Sequence, residues 1–521
     1  MSLAETFQLA DLPVATRPGI RTLHGLLTAG LTLAITLSFA VSIPAWNPAA
    51  VLALVLVALT ALWISGGAST ALVGIARPDP DPADPPAGWT PQTRTAILVT
   101  MCKEPPEPLA RHLAALRASL DRAHLGDATR IFLLSDTSGT ERIAEEARAF
   151  DRLHANGLLH YRRRARNTGR KPGNIADWLA AHGDEFDFML VLDADSRMTA
   201  RRIRRMIWQM ERRPALGLLQ AGIALVPGTS RFGRHQRVSS RLLSRTFGRG
   251  FAAWTGESGN YWGHNALIRV AAFRSAAELP VLSGRPPLGG APLSHDFIEA
   301  AWMRRAGWAV ALDPDPSGSG EDAPQTVAAF HARDRRWCQG NLQHLRLIAE
   351  PGLAPLSRVH LASGVLSYLV APAWLILLAV FATGAVQVSA AAPLAAVGGV
   401  LLAPKLCALG DWLRRTRTAH RRLVVLRAWF GELLQSSLVA PLIMLRQAGA
   451  VAAVLLGRDC GWKSGGGPGR ALPPGLPEMA AGAALLAVAI PTLGPLAIWL
   501  APVALPLCGA PWIIRALDGP A

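Results

Sequence analysis

Apolar and polar positions alternate along this chain in three regimes. The first is a pair of uncharged apolar runs, Leu23 to Ile43 and roughly Ala49 to Ser65, the second fading out towards Ile75, with an uncharged Pro44-Ala-Trp-Asn-Pro48 turn between them. Each approaches the ~20 residues a helix needs to cross a bilayer, so the pair predicts a transmembrane hairpin. The first run is longer and starts later than the ~7–15-residue core of a signal peptide. Residues 77–92, rich in Pro and Asp, cannot form a regular element and read as a linker.

From about Thr93 to Glu350 the chain becomes soluble in character. Short strand-like runs appear at Thr95–Met101, Arg130–Leu134, Phe186–Leu192 and Leu216–Ala221. Helical patterns lie between them, at Pro108–Ala123, Glu141–Leu153, Ile175–His182 and Arg201–Arg212. Strand–helix alternation of this kind predicts a largely parallel α/β sheet.

The third regime returns to apolar runs. Val359–Thr383 and Val386–Leu409 form a second hairpin, followed by an Arg-rich stretch from Asp411 to Arg422. Val424–Leu456 is apolar but interrupted by Arg427, Glu432, Arg446 and Gln447, and fits either an interfacial helix plus a span or a tight hairpin. A polar loop at 457–470 precedes a last pair, Met479–Leu500 and Ala501–Ile514, the second short for a span. Six spans and one ambiguous segment are therefore expected. The domains expected are 1–76 (tail and hairpin), 77–92 (linker), 93–350 (α/β domain) and 351–521 (membrane region). Basic flanks and uncharged outer turns place the α/β domain in the cytoplasm.

Composition agrees with a membrane protein. Half of the 521 residues are hydrophobic, and the formal net charge is +17. Excess Arg suits cytoplasmic membrane faces or an anionic substrate. Nucleic acid is not indicated, since no zinc-finger spacing, RNP box or basic coiled coil is present. The five scattered cysteines suggest neither a disulfide framework nor a zinc site.

Candidate chemistry begins where the run Phe186–Leu192 stops at Asp193-Ala-Asp195. Carboxylates at the carboxyl end of a buried strand sit where α/β sheets collect ligands. An Asp-x-Asp there can hold Mg²⁺ or Mn²⁺ against a nucleotide diphosphate, although alone it is more often an exposed acidic turn. Other strand ends carry Glu104 and Asp136. Asn167 to Asn174 sets Arg170, Lys171 and glycines ahead of a helical stretch, which suits a phosphate or a solvated loop. His295 and Asp296 open another helical pattern, where Asp296 is either a cap or a general base. Arg333, Arg336 and Trp337 suit diphosphate pairing and sugar stacking, or a basic juxtamembrane helix.

As an ordered set, Asp136, Asp193/Asp195, Asp296 and Arg333-x-x-Arg336-Trp337 resemble the processive inverting glycosyltransferases of family 2, the cellulose synthase type. Gly259–Val270, Leu282–Gly290, Leu293–Trp308, Arg333–Asn341 and Leu455–Ser464 look like the glucans biosynthesis glucosyltransferase H family, whose members build osmoregulated periplasmic glucans. The resemblance implies a polytopic α-helical protein of the bacterial inner membrane, with an inserted cytoplasmic GT-A domain. It implies UDP-glucose as donor, Mg²⁺ or Mn²⁺ as cofactor, and a β-1,2-linked glucan exported through the same chain. It also implies acyl carrier protein and periplasmic glucan-processing proteins as partners. Glu104 and Asp136 would hold the uridine part, Lys171 the diphosphate, and Asp193 and Asp195 the diphosphate and metal. Asp296 would be the base, and Arg336 would meet the diphosphate. Trp337, Arg333 and His295 would meet the acceptor, and Trp462 and Lys463 would belong to a gating loop.

Three features depart from the family pattern. Arg333 stands for the commoner Gln, Lys103 stands where an Asn usually precedes Glu104, and the long cytoplasmic extensions of larger members are expected to be missing. Two rival readings remain: transfer of one sugar to a lipid, and a non-catalytic membrane scaffold with a degenerate nucleotide-sugar domain.

Overall fold

The computed structural model describes residues 18–79, 84–276, 278–460 and 473–521. It opens with α1 (Pro18–Ala40) and α2 (Pro48–Ile75), packed against each other as a hairpin. The turn is set by Asn47, whose Oδ1 accepts from Ala50 N at 2.8 Å, with Pro48 pre-shaped for the first helical position.

The α/β domain follows: β1 (Thr95–Met101), α3 (Pro106–Arg122), β2 (Thr129–Ser135), α4 (Thr140–Ala155), β3 (His160–Arg163), α5 (Arg170–His182) and β4 (Phe188–Asp193). It continues with β5 (Arg197–Met198), α6 (Ala200–Glu211), β6 (Leu216–Ala221), β7 (Ala224–Leu225), α7 (Arg231–Thr255), β8 (Ala266–Arg269) and α8 (Val270–Arg274). It closes with α9 (His295–Arg305), β9 (Ala309–Asp313), β10 (Ser319–Glu321) and α10 (Val327–Gln343). Seven strands form one sheet in the order β3-β2-β1-β4-β8-β6-β9, and β5-β10-β7 form a small second sheet. All neighbours in the large sheet are parallel except β8, which runs antiparallel to β4 and β6. This is the GT-A type of arrangement.

Why the middles of β1 and β4 are wholly apolar is now plain. Ala96, Leu98, Met189 and Val191 pack on one face with Trp178 and Ile298, while Ile97, Val99, Leu190 and Leu192 pack on the other with Leu113 and Ile203. A sheet covered on both faces has no polar side. The register Thr100↔Asp193 and Met101↔Ser135 brings three strand ends to one edge.

The rest of the chain is helical: α11 (Pro355–Ala382), α12 (Ala391–Arg415), α13 (Ala419–Leu455), α14 (Leu476–Leu493), α15 (Ala501–Cys508) and α16 (Ala510–Asp518). Six helical segments are long and apolar enough to cross a membrane, including α13 and the stretch Leu476–Cys508. The contacts redistribute two of them. The ambiguous segment is one helix, α13, and it stays beside the α/β domain along most of its length. Glu432 accepts from Ser239 on α7 at 3.0 Å, Val439 and Leu442 pack on Phe232 and Val327, and Val451 packs on Cys338 and Leu342. α13 also packs on α11, α12 and α15, so it lies among the membrane helices as well as against the domain. The last apolar stretch instead folds back at Gly494 (φ +55°), so that Gly482 on α14 lies against α15 and Gly475 against Pro511. The chain then returns to the domain, where Arg231 N donates to Gly519 O at 3.0 Å. The membrane part thus has three hairpins, α1–α2, α11–α12 and α14–α15/α16.

The first two hairpin turns meet at the end far from the domain. Asn47 Nδ2 donates to Ala385 O at 2.9 Å, and Ser389 N donates to Ser42 O at 3.0 Å. At the near end α2 crosses α7 through two glycines. A Cβ on Gly74 would overlap the Thr246 carbonyl, and one on Gly250 the Thr70 carbonyl. Only glycine allows backbones to approach so closely. Arg249, buried at this crossing, donates to Asp79 at 2.6 Å and to Asp411 on α12 at 2.7 Å, tying the domain to two membrane helices.

Candidate active site

The site is built on the carboxyl edge of the large sheet. β4 delivers Asp193, whose Oδ1 accepts from Lys171 Nζ and, at 3.2 Å, from Thr100 Oγ1 on β1. Burial would raise this carboxyl, but the cations of Lys171 and His264 hold it down at about 2. Asp195, two residues on, is pushed up to about 6 by burial and by the negative charge of Asp193, with Glu321 adding to it. Asp193 is thus a fixed anion, and Asp195 gains most from a cation placed beside it.

Lys171 connects the donor side of the site to its acceptor side. It belongs to the first turn of α5, because the helix begins at Arg170 and not at Ile175 as the pattern suggested. Its Nζ also donates to Gly263 O at 2.7 Å, the carbonyl that takes the Tyr261 hydroxyl at 2.7 Å. A Cβ on Gly263 (φ +87°) would sit 3.4 Å from Asp296 Oδ2, so one glycine touches both halves. Asp296 and His295 open α9 as expected. Burial and Glu299 push the Asp296 carboxyl up, against the opposing pull of His295. Burial would lower the His295 imidazole, but Glu299, whose Oε1 lies 3.1 Å from Nδ1, raises it.

The remaining predicted residues fall around this centre. Asp136 follows β2 and is gripped by Arg164, with Nε to Oδ1 at 2.7 Å and Nη2 to Oδ2 at 2.9 Å. The same guanidinium donates to Thr168 O, Arg170 O and Asp177, so it shapes the whole loop leading into α5. Glu104 turns back to accept from Cys102 N, past Lys103 at φ +75°. Arg333, Arg336 and Trp337 lie on α10. Arg333 stacks on the Trp337 ring at 4.5 Å, and burial lowers its guanidinium while Glu321 and Asp195 oppose this. Arg336 is likewise lowered by burial, with Cys460 beside it. Cys460 N donates to Gln339 Oε1 at 2.8 Å, so the loop after α13 arrives against α10. Trp462 and Lys463 lie outside the described residues.

Three contacts here escaped the sequence, the first being the grip of Arg164 on Asp136. His264 pairs with Glu321 on β10 at 3.0 Å, and although burial would lower it, Glu321 and Asp193 hold the imidazole at about 9. Its neighbour Asn265 adopts φ +51° and is anchored by Ser319 Oγ at 2.9 Å. Arg164 and Glu321 carried no motif of their own, while His264 stood within a recognised stretch without an assigned partner. Gly340 is the third: on α10 it packs so tightly on α9 that a Cβ would lie 2.6 Å from Ser294 N.

A carboxylate pair at a sheet edge, a third carboxylate close to it and a basic aromatic helix now stand together. Family models agree. Residues 96–276 match the model described as glycosyl transferase family 2, and residues 188–387 match glycosyl transferase family group 2. The chain belongs to glycosyl transferase family 2.

Among the similar family members is the glucans biosynthesis glucosyltransferase H of Vibrio cholerae, 40% identical over 445 aligned residues that cover 78% of this chain and 61% of that protein. The proteins of the same name from Rhodopseudomonas palustris and Bradyrhizobium diazoefficiens are each 41% identical, over 71% of this chain and 55% and 54% of theirs. The chain therefore spans between half and two thirds of the length of these relatives. The mannosyltransferase PcManGT from Pyrobaculum calidifontis, solved with GDP-Man and Mn²⁺, aligns with a TM-score of 0.45 at 14% identity over 78% of this chain and 98% of that one. That likeness is too loose by itself to carry the fold.

The donor set suits a hard divalent cation. Among the described residues no cluster of three or more His, Cys, Asp or Glu could hold a metal alone. Mg²⁺ and Mn²⁺ are commonly held by one or two carboxylates with substrate phosphates completing the shell, and Asp193 with Asp195 fits that pattern.

Proposed function

We propose that this family 2 glycosyltransferase transfers glucose from UDP-glucose to a growing glucan, with inversion, in a processive manner, and feeds the product into its own membrane helices. The observation that carries this reading is the Gly263 junction, which holds Lys171 and the Asp193 carboxylate on one side and Asp296 on the other, while α10 packs on α11 and α13. Donor, base and membrane path are contiguous. Names of the relatives support glucan as the product, and the family resemblance supports a β-1,2 linkage and acyl carrier protein as a partner.

The mechanism is a direct displacement. The Asp296 carboxylate accepts the proton of an acceptor hydroxyl, and the freed oxygen attacks the anomeric carbon from the face opposite UDP. The bond between that carbon and the diphosphate oxygen breaks, and its electron pair leaves with UDP. A high-lying Asp296 pKa makes it the stronger base. Lys171 orients Asp193 and adds positive charge next to the leaving group. A divalent cation held by Asp193 and Asp195 would supply further charge neutralisation at the diphosphate. Trp337, half-exposed on α10, offers a sugar-stacking face.

Placement in a bacterial inner membrane, with the domain in the cytoplasm, is supported by charge. The far turns at 41–47, 383–390 and 494–500 contain no Lys or Arg, whereas the near flank 411–422 carries five Arg and one His.

The test uses purified protein in lipid vesicles with Mg²⁺ and a panel of UDP-sugars, following UDP release and product size. Release from UDP-glucose alone, with a water-soluble polymer, is expected, and Asp296→Asn should bind UDP but not turn over. Normal turnover by a folded Asp296→Asn would overturn the base, and a short lipid-bound product would overturn processivity.

A further inference from the structure

A cavity of about 850 Å³ lies between the small sheet, α7 and the near end of α12. Its walls carry five arginines, Arg197, Arg237, Arg241, Arg245 and Arg249, against two carboxylates, Asp79 and Asp315. The four on α7 recur every fourth residue and form one ridge. Like charges at that spacing repel one another, so such a ridge is maintained at a cost unless anions meet it. The structure supplies those anions for only half of it. Arg245 and Arg249 bind Asp79, and Arg249 also binds Asp411. Arg237 and Arg241 meet no carboxylate among the described residues. Across the cavity, Arg197 reaches Asp322 only at 3.9 Å. Its Nη1 is buried without a hydrogen-bond partner among the described residues, and so is Nε2 of His112 on the same wall.

The position of the mouth indicates the kind of anion. Asp79 lies four residues beyond the end of α2, and Trp412, on the last turn of α12, lines the cavity while its Nε1 donates to Leu242 O at 3.3 Å. With the membrane placement proposed above, the cavity lies where α2 and α12 leave the bilayer, the depth of phosphate headgroups. Basic pockets at that depth on the cytoplasmic side hold anionic headgroups.

We propose that this cavity is a phosphate site, filled by the headgroup of an anionic phospholipid of the leaflet next to the α/β domain. A free phosphate shares the chemistry, and the experiment separates the two sources. The inference rests on the membrane placement proposed above but not on sugar transfer, so a binding readout can fail or succeed independently of turnover.

The full-length protein, stripped of lipid in detergent, is titrated with dihexanoyl phosphatidylglycerol, dihexanoyl phosphatidylcholine and inorganic phosphate, reading the unfolding midpoint. A saturable rise with the glycerol lipid and none with the choline lipid is expected. Arg237→Gln/Arg241→Gln should raise the half-saturating concentration at least fivefold, whereas Arg142→Gln/Arg148→Gln on α4 should leave it unchanged. Arg241→Gln alone, an exposed position, serves if the double variant does not fold. An equal rise with inorganic phosphate at the same concentration would retain the phosphate site and assign it to a soluble ligand. No saturable rise with either anion, an equal rise with the choline lipid, or an unaltered response of Arg237→Gln/Arg241→Gln would overturn the proposal.

Discussion

Replacing Gly340 by alanine would part α10 from the start of α9, which carries the proposed base Asp296. The new Cβ would stand 2.6 Å from Ser294 N and 3.0 Å from Leu293 Cβ. Ordinary contact begins near 3.4 Å, so α10 and the start of α9 must part by about 0.8 Å. The Ser294 hydroxyl can rotate away, but its backbone nitrogen cannot. Asp296 lies two residues beyond Ser294, and Trp337 and Arg336 lie within about one turn of Gly340. A displacement of about 1 Å between reacting groups can cost about 10²-fold in rate, equivalent to about 2.7 kcal/mol. Stability should change less, because overpacking costs about 1–3 kcal/mol while Gly→Ala returns about 1 kcal/mol within a helix. The expected outcome in vesicles is a folded Gly340→Ala protein whose kcat for UDP release falls about 10²-fold. Its Kd for UDP, measured by calorimetry, should change less than kcat does, by under the tenfold that about 1.4 kcal/mol represents. Turnover near the wild-type level would refute the idea that this contact sets the distance between base and acceptor.

Three further predictions follow from separate parts of the structure. Arg164→Gln leaves the Asp136 carboxylate without its bidentate partner and loosens the loop into α5, so donor affinity should fall about tenfold or more, in line with the ~2–5 kcal/mol cost of breaking a buried hydrogen-bonded charge pair. Unchanged donor affinity in a calorimetric titration would count against that role. His344 is fully buried with Nε2 donating to Ser294 O, and burial holds it at about 4, below its ordinary value of 6.5. The unfolded chain therefore binds the proton first, and stability is lost as pH falls from about 6.5 to about 4, by up to about 3 kcal/mol. His344→Gln should flatten that part of the midpoint-against-pH curve, and an identical slope in both proteins would show that another group controls it. Trp337→Ala, which removes the ring stacked on Arg333, should shorten the product while leaving UDP binding intact. An unchanged chain-length distribution on sizing columns would argue that the ring does not hold the acceptor.

Much of this protein was legible because local pattern follows burial. Thr95–Met101 and Leu216–Ala221 were bounded correctly from their apolar runs, since strands enclosed on both faces carry few polar residues to blur them. The membrane hairpins were legible for a similar reason, lipid on the outside and helix on the inside both demanding apolar side chains. Asp193, Asp195 and Asp296 stood out by their places at or just beyond strand and helix ends, and the Arg333–Trp337 box, in the middle of α10, by its residue types and spacing. Short pieces stayed hidden. His160–Arg163 carries three basic residues in four, and Ala266–Arg269 is too brief to declare a period, so both are strands only through pairing with neighbours.

What the tertiary structure alone decided is partnership. Composition made α13 a candidate span, and only its contacts show that it joins α7 and α10 of the domain to α11. The grip of Arg164 on Asp136, the His264–Glu321 pair and the joining of Lys171 to Asp296 through Gly263 link residues between 28 and 92 positions apart, or cross between elements with no local signal. Hydrophobic periodicity records only whether a residue is buried. Which charge it meets there depends on how the sheet orders its strands and how closely the glycines let the helices approach.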